Sequence, residues 1–304
     1  MTPSKESKTI RQHIHKETGE NEAPLEDQRK AWIDYAKTQT IDSRVSMSKE
    51  TIANVPCLWI TRSESPKSPT IVYLHGGGLV DGAIVTHREF VSRLVAESGY
   101  GALMVGYRLA PEHRFPASLE DVVAVCDAFP IDRQYILGGD SSGAGLAVAA
   151  TAELRNKNKR LPVCVFTISG VFDMTLSGES MVSRNNLDPC LSFKALTGWT
   201  KHFTDYDLSD PRISPLFGAV TGFPPVLLQV GDHEVWLDDS IRLKEKIHSS
   251  GGKAELRIWD SMWHVWHMYS DLPEALEAIK EIGDFIDKSI EESVNQPAHT
   301  TPLR

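Results

Sequence analysis

Five consecutive residues, Gly139-Asp140-Ser141-Ser142-Gly143, form a Gly-x-Ser-x-Gly pattern in which the central serine could act as a nucleophile. A serine hydroxyl is a poor nucleophile unless it stands exposed and a base takes its proton. Glycines on both sides of Ser141 allow a sharp turn from strand to helix, which raises the serine oxygen above the sheet edge. Residues 135–137 indicate a buried strand before the turn, and residues 144–154 indicate a helix after it. The pattern predicts a nucleophilic Ser141; the alternative is a plain Gly/Ser loop between core elements.

A second motif, His75-Gly76-Gly77-Gly78, follows a strand that ends at Leu74. Acyl transfer creates a negatively charged oxygen, and backbone N–H groups can stabilise it only where no side chain blocks their approach. Consecutive glycines after a strand meet that requirement. The motif therefore predicts a loop of N–H donors, and the alternative is a flexible glycine loop without a chemical role.

The composition narrows the class of protein. The chain has 304 residues, 41 % of them hydrophobic, which suits one large α/β domain with insertions or two small domains. Its formal charge of −9, without a basic stripe, disfavours nucleic-acid binding. A polar start and the lack of a long apolar run predict a cytoplasmic protein without a membrane span. The four cysteines, Cys57, Cys126, Cys164 and Cys190, are too widely spaced for a zinc site or a disulfide framework, and Cys126 and Cys164, which lie in apolar runs, are expected to be buried free thiols.

Apolar strands alternate with helical patterns along most of the chain. The expected strands are residues 55–60, 70–74, 101–106, 135–137, 162–168, 225–230 and 254–259, and the expected helices are 26–38, 87–96, 118–129, 144–154, 237–248 and 272–290. This alternation predicts an α/β fold, with a central, mostly parallel, twisted sheet flanked by helices.

Residues 171–215 interrupt the alternation and are long for a connection between a strand and a helix. Apolar residues recur there at near-helical spacing, which predicts a helical insertion above the sheet. The candidates for lining a substrate pocket are Leu187, Phe193, Leu196, Trp199 and Phe203. The alternative is that these residues only pack the insertion onto the core.

The two motifs in this order resemble the hormone-sensitive-lipase-like branch of the α/β-hydrolases. The resemblance covers roughly residues 55–290 and continues through Tyr107-Arg-Leu-Ala-Pro-Glu-His113, Phe115-Pro-Ala117, Leu119-Glu-Asp121 and Asp210-Pro-Arg-Ile-Ser-Pro-Leu216. It implies an α/β-hydrolase fold with a helical cap. The expected parts are an N-terminal cap segment 1–45, a first core part 46–170, a cap insertion 171–209, a second core part 210–290 and a disordered tail 291–304.

The resemblance also implies an oxyanion hole made by the N–H groups of Gly77, Gly78 and Ser142. Ser142 departs from the alanine usual at its position, so its hydroxyl could add a contact or perturb the pocket. Three further residues are expected to support the motifs structurally: His75, Gly76 and Asp140.

In this family the acid and the base follow the nucleophile in the order Ser, acid, His. Glu234 aligns with the acid of a subgroup that reads Glu-Val-Leu-Leu-Asp-Asp-Ser, while Asp232 is the alternative because it lies nearer the strand end. The pattern Met-x-His-x-aromatic places the base at His264. His267 is then expected to be a packed or solvated histidine.

These residues imply a carboxylesterase that acts on short or medium acyl esters through Ser141, Glu234, His264 and an acyl-enzyme, without a metal or cofactor. A lactone hydrolase is one alternative, because the Glu subgroup resembles enzymes that open cyclic esters. The second alternative is a ligand receptor without catalytic activity. Proteins of this fold serve as receptors when the catalytic histidine is lost, and His264 is present in this chain, which disfavours that alternative. Family members often pair through the edge of the last strand, so a homodimer around Leu256 is possible.

Overall fold

The computed structural model describes residues 3–14, 16, 23–62, 67–130 and 133–295. The strands are β1 (Val45–Ile52), β2 (Val55–Arg62), β3 (Lys67–Leu74), β4 (Tyr100–Val105), β5 (Tyr135–Asp140), β6 (Val165–Ile168), β7 (Val226–Gly231) and β8 (Ala254–Trp259). The α-helices are α1 (Lys5–Arg11), α2 (Leu25–Thr38), α3 (Ile84–Ser98), α4 (Ala117–Ala128), α5 (Ser141–Asn156), α6 (Ser180–Ser183), α7 (Phe193–Phe203), α8 (Leu237–Ser249) and α9 (Pro273–Asn295).

The strands form one sheet in the order β1-β2-β4-β3-β5-β6-β7-β8. All neighbours from β4 to β8 pair in parallel, whereas β1 with β2 and β2 with β4 pair antiparallel. Because parallel strands share one direction, their carboxyl ends meet at one edge of the sheet, where ligands bind in such folds. The mostly parallel sheet confirms the predicted fold class.

Helices cover both faces of the sheet, as the side chains of β3 illustrate. Val72 and Leu74 belong to one core, which includes residues of α4, α5 and α8, while Ile71 and Tyr73 belong to the other, which includes residues of α3 and α9. Neighbouring residues of a strand point to opposite faces, so a strand between two cores must be apolar throughout. The central strands β4, β5 and β7 are accordingly buried along their whole length.

Three elements differ from the sequence-based expectation. Strand β1 was not predicted, because it lies at the sheet edge and its polar residues are mostly exposed. Helix α1 occupies residues 5–11 of the expected cap segment, ahead of the first helix in the expected set, 26–38. Helix α9 continues through Glu291–Asn295, so the first part of the expected disordered tail is helical; the rest of that tail, residues 296–304, lies outside the described residues.

Long-range hydrogen bonds attach the N-terminal helices to the body of the protein. On α2, the Arg29 guanidinium donates to the carbonyl oxygens of Val80 at 2.7 Å and Ala110 at 2.6 Å. On α1, Arg11 donates to the carbonyl oxygen of Leu187 in the 171–215 insertion. The N-terminal segment therefore bridges the glycine-rich loop and the insertion, in the manner expected of a cap, although the predicted domain boundaries stay a prediction.

Helix α9 is the longest helix of the described chain, yet charged residues recur along it. Among the described residues, no helix is both long enough and apolar enough to cross a membrane.

Candidate active site

Ser141 lies at the junction of β5 and α5, with no loop between the two elements. Its φ of 51° is a left-handed value that non-glycine residues rarely adopt, and such strain concentrates at functional sites. The flanking glycines are required by packing, because a Cβ on Gly139 or Gly143 would approach the Leu74 carbonyl oxygen to 2.5 or 2.2 Å. The local sequence thus allows the close approach of β3 and α5 that presents the Ser141 hydroxyl at the sheet edge.

A continuous chain of hydrogen bonds leads from Ser141 into the protein. The Ser141 hydroxyl is 2.9 Å from His264 Nε2, and His264 Nδ1 is 3.1 Å from Glu234 Oε2. Glu234 follows β7 and His264 follows β8, so both come from the carboxyl ends of parallel strands. The structure therefore brings together three residues that lie 123 and 30 positions apart in the sequence.

The Glu234 carboxylate is fully buried but well supplied with donors. Its Oε1 accepts hydrogen bonds from the Gly231 N–H at 2.6 Å and the Ser169 hydroxyl at 2.8 Å. Ser169 in turn accepts from the Val265 N–H at 3.0 Å, so it links the Glu234 carboxylate to the chain beside His264. Burial raises the pKa of Glu234, and these hydrogen bonds together with His264 offset part of that effect.

Glu234 also controls the charge of His264. Burial by itself lowers the pKa of this imidazole, but the hydrogen bond and negative charge of Glu234, aided by the charges of Asp188 and Asp140, raise it overall above 6.5. An imidazole with a stabilised charged form is a stronger base toward Ser141. The arrangement can therefore accept the serine proton and hold it.

The alternative residues of the sequence analysis occupy different surroundings. The Asp232 carboxylate is 35 % exposed and accepts a hydrogen bond from the Ser261 N–H at 2.6 Å. His267 is buried, with Nε2 3.0 Å from Gln229 Oε1, and burial lowers its pKa to about 3. Neither side chain joins the Ser141 hydrogen-bond chain, so the structure favours Glu234 and His264 on geometry.

The glycine-rich loop lies beside Ser141. Gly77 and Gly78 have φ values of 118° and 65°, which L side chains rarely adopt, and a Cβ on Gly77 would come within 2.3 Å of the Asp81 carbonyl oxygen. Among the described residues, no acceptor bonds the N–H groups of Gly77, Gly78 or Ser142. These three groups are therefore available to a negatively charged oxygen on the Ser141 side.

Asp140 ties this loop to the turn that carries Ser141. Its carboxylate accepts hydrogen bonds from the Gly76 N–H at 3.0 Å and the Tyr73 hydroxyl at 2.6 Å. A third partner, His87 Nε2, lies 3.2 Å from the same carboxylate. His87 had no motif context in the sequence, so only its position on α3 against Asp140 reveals this role.

His75 is buried under the same loop. Its ring stacks on Tyr107 with centroids 4.4 Å apart, and burial lowers its pKa to about 4. The Tyr107 hydroxyl donates to the His75 carbonyl oxygen. These contacts fit the expected role of anchoring the loop.

A cavity of about 610 Å³ opens above Ser141 and is lined by His264, Gly77 and residues of α2 such as Trp32. Of the five pocket candidates, Trp199 lines this cavity, and both Trp199 and Leu196 line a smaller cleft of about 20 Å³ that Ser141 also lines.

The other three pocket candidates line neither of these two spaces. Phe203 is buried, packs its ring against Phe115 with centroids 5.9 Å apart, and lines a further small space of about 20 Å³ together with Ser142. Leu187 and Phe193 are 37 % and 42 % exposed and line neither of the two spaces beside Ser141. The structure therefore does not place these two residues at the pocket where they were expected.

The described side chains also show whether a metal ion could be held. Within the described ranges, no three His, Cys, Asp or Glu side chains converge as they would around a metal ion.

Residues 71–268 match the family described as alpha/beta hydrolase fold. An esterase of Acinetobacter venetianus is 33 % identical over 74 % of this chain and 76 % of its own length, and an acetyl-hydrolase of Streptomyces hygroscopicus is 35 % identical over 78 % and 81 %. The crystal structure of an esterase from the bacterial hormone-sensitive lipase family superposes with a TM-score of 0.88 and 32 % identity over 95 % of this chain and all of that one. This chain therefore belongs to the α/β-hydrolase family, in its hormone-sensitive-lipase-like branch, and is a carboxylesterase.

Proposed function

We propose that the protein hydrolyses esters of short or medium acyl groups through a Ser141–His264–Glu234 triad and a covalent acyl-enzyme. The observation that carries the proposal is the unbroken hydrogen-bond chain from the Ser141 hydroxyl through His264 to Glu234. Nucleophile, base and orienting acid in this order are the parts that serine hydrolases need.

The reaction begins when Ser141 Oγ attacks the ester carbonyl carbon and its proton passes to His264 Nε2. The carbonyl oxygen becomes negatively charged and accepts hydrogen bonds from the N–H groups of Gly77, Gly78 and Ser142. Each such donor contributes about 3–4 kcal/mol to the transition state in comparable enzymes. Glu234 accepts from Nδ1 and stabilises the charged imidazole while it holds the proton.

The tetrahedral intermediate collapses when His264 Nε2 returns its proton to the alcohol oxygen, so the C–O bond breaks and the acyl group stays on Ser141. Water then attacks the acyl carbon and gives a proton to His264. The second intermediate releases the carboxylic acid, and the proton returns to Ser141. Every proton taken by His264 is thus given back within one turnover.

The test compares purified wild type with Ser141→Ala on p-nitrophenyl acetate and butyrate. We expect kcat to fall by at least about 10⁴-fold, because loss of the nucleophile in a related triad costs about 10⁶-fold. Ser293→Ala, at an exposed position of α9, is the matched control and should retain full activity. Unchanged turnover in Ser141→Ala would reject the nucleophile.

We propose open-chain esters instead of lactones as substrates, because the relatives are named for esterase and acetyl-hydrolase activity. A panel that sets ethyl esters beside a δ-lactone measures this choice directly. A kcat/KM for the lactone above that of every open-chain ester would contradict it.

A further inference from the structure

Two spaces meet at Ser141, and they differ greatly in volume. The larger, of about 610 Å³, is lined by Gly77 and His264. The smaller cleft, of about 20 Å³, is lined by Gly78 and Ser142. Ser141 lines both, so an ester bound there must send its acyl group to one side and its alcohol group to the other.

The position of the proton donor, His264, decides which space holds the alcohol group and which holds the acyl group. The alcohol leaves with a proton from His264 Nε2, so its oxygen must lie within hydrogen-bond reach of that atom. His264 lines the larger cavity and not the smaller cleft. The alcohol group therefore extends into the larger cavity, and the acyl group enters the smaller cleft.

We propose that this smaller cleft is the acyl pocket and that it takes a group of acetyl size, a proposal that rests on the ester hydrolysis proposed above. A cavity needs about 10–15 Å³ to hold one water-sized group, so about 20 Å³ accommodates one methyl beyond the carbonyl carbon. Its walls are mostly apolar side chains: Val171, Met174, Leu176, Leu196, Trp199 and Trp236.

Trp199 is one of the side chains that limit the size of the cleft. It lines both spaces and therefore forms part of the wall between them. The Trp199 ring packs directly on the glycine-rich loop, because a Cβ added to Gly78 would lie 2.8 Å from a ring carbon. A longer acyl chain must displace Trp199 or another side chain that lines the cleft, and close-packed interiors resist even one additional methylene.

One polar atom distinguishes the cleft from a plain methyl pocket. Ser142 Oγ is buried and has no hydrogen-bond partner among the described residues. An unpaired buried hydroxyl is unfavourable, so a substrate oxygen that pairs with it is favoured. A glycolyl group exceeds acetyl by one oxygen, and pairing of that oxygen with Ser142 Oγ offsets part of the cost of its larger size, whereas a propionyl group of the same size gains no such hydrogen bond.

The first test measures kcat/KM for p-nitrophenyl acetate, propionate and butyrate. We expect wild type to lose about tenfold or more for each methylene beyond acetyl. Leu196→Ala enlarges the cleft and should raise the butyrate-to-acetate ratio by about tenfold or more. Leu191→Ala is the matched control, since Leu191 is equally buried, at 4 % exposure, but lines only the larger cavity of the two. It should leave this ratio within about twofold.

Leu176→Ala provides a second enlargement at a half-buried position if Leu196→Ala does not fold. A shift in the acyl ratio with Leu191→Ala and not with the cleft variants would place the acyl group in the larger cavity and overturn the proposal. Wild type that prefers butyrate to acetate would do the same. The Ser141→Ala variant tests the proposed function separately. If it loses all hydrolysis, ester hydrolysis through Ser141 stands, whichever of the two spaces holds the acyl group.

The second test compares ethyl glycolate with ethyl propionate, whose acyl groups are nearly equal in size, by alkali titration of the released acid. Ser142→Ala should lower the glycolate-to-propionate ratio of kcat/KM by about fivefold relative to wild type, the effect of one hydrogen bond. Taking the ratio between variants cancels the different intrinsic reactivities of the two esters. An unchanged ratio would reject Ser142 Oγ as a contact of the acyl group.

Discussion

Replacing Glu234 with Gln should cost about four orders of magnitude in kcat, although the two side chains have nearly the same shape. The Glu234 carboxylate accepts three hydrogen bonds. Oε1 takes those of Gly231 N–H at 2.6 Å and the Ser169 hydroxyl at 2.8 Å, while Oε2 faces His264 Nδ1 at 3.1 Å. A glutamine has only one oxygen, so its NH₂ group must face one of these two sets of donors.

The geometry selects the orientation. An NH₂ group at the Oε1 position would oppose two donors, whereas at the Oε2 position it opposes one, so the latter is favoured. There it requires His264 Nδ1 to accept, which moves the imidazole proton to Nε2. A protonated Nε2 cannot take the Ser141 proton. The same tautomer error costs about 10⁴-fold in a serine protease, or about 5.4 kcal/mol at 1.36 kcal/mol per decade.

The assay is kcat on p-nitrophenyl acetate under saturating substrate, with circular dichroism to confirm folding. Asp232→Asn is the matched control, because Asp232 is 35 % exposed and the hydrogen bond it accepts from the Ser261 N–H lies outside the Ser141 chain. We expect this control to lose less than about tenfold. A larger loss with Asp232→Asn than with Glu234→Gln would refute the reasoning and move the acid to Asp232.

Four further outcomes follow from the same structure. Because Glu234 raises the pKa of His264 and the base must be neutral, kcat/KM should fall as the pH drops through a value above 6.5, and this limb should shift to lower pH in Glu234→Gln. Gly77→Ala, whose Cβ would meet a carbonyl oxygen at 2.3 Å, should lower kcat by about 10²–10³-fold in steady-state assays. A much smaller loss would contradict the inference that the loop cannot accept a side chain at this position. Phe166→Ala, at a fully buried position, should lower the free energy of unfolding in urea by about 3–5 kcal/mol; a loss below about 1 kcal/mol would contradict the packing seen here. Burial and the neighbouring Asp173 raise the pKa of Asp239 to about 8, so the folded protein binds this proton more tightly than the unfolded chain does. Stability should therefore decline as pH rises toward 8, and Asp239→Asn should flatten that decline in thermal melts at pH 5 and 8.5.

Short sequence patterns were sufficient for the fold class and the order of the motifs. Residues 71–74 of β3 and 135–137 of β5, which lead to the glycine-rich loop and to Ser141, are apolar because they are buried between two layers of helices, and such runs are visible without a structure. Strand β1 was missed for the opposite reason, since an exposed edge strand carries polar residues and shows no apolar run.

In the sequence, only the resemblance to the Glu subgroup favoured Glu234 over Asp232. The two residues are close neighbours after β7, and the direction of each side chain depends on how the turn packs against the chain beside β8. Only the folded chain shows Glu234 turned inward to His264 and Asp232 turned toward Ser261. The expected homodimer around Leu256 depends on a second chain and stays a prediction.

Ser169 and His87 carry no motif, yet Ser169 donates to the Glu234 carboxylate and His87 contacts the Asp140 carboxylate beneath the glycine-rich loop. Their partners lie 65 and 53 residues away, so only tertiary packing brings them into contact. The same holds for the two spaces beside Ser141, whose sizes depend on how α7 and the N-terminal helices pack over the sheet edge. The sequence by itself thus determined which chemical groups are present and in what order, because motifs are local. Only the tertiary structure decided which of them meet and how much room a substrate has, because distances and volumes depend on contacts between distant segments.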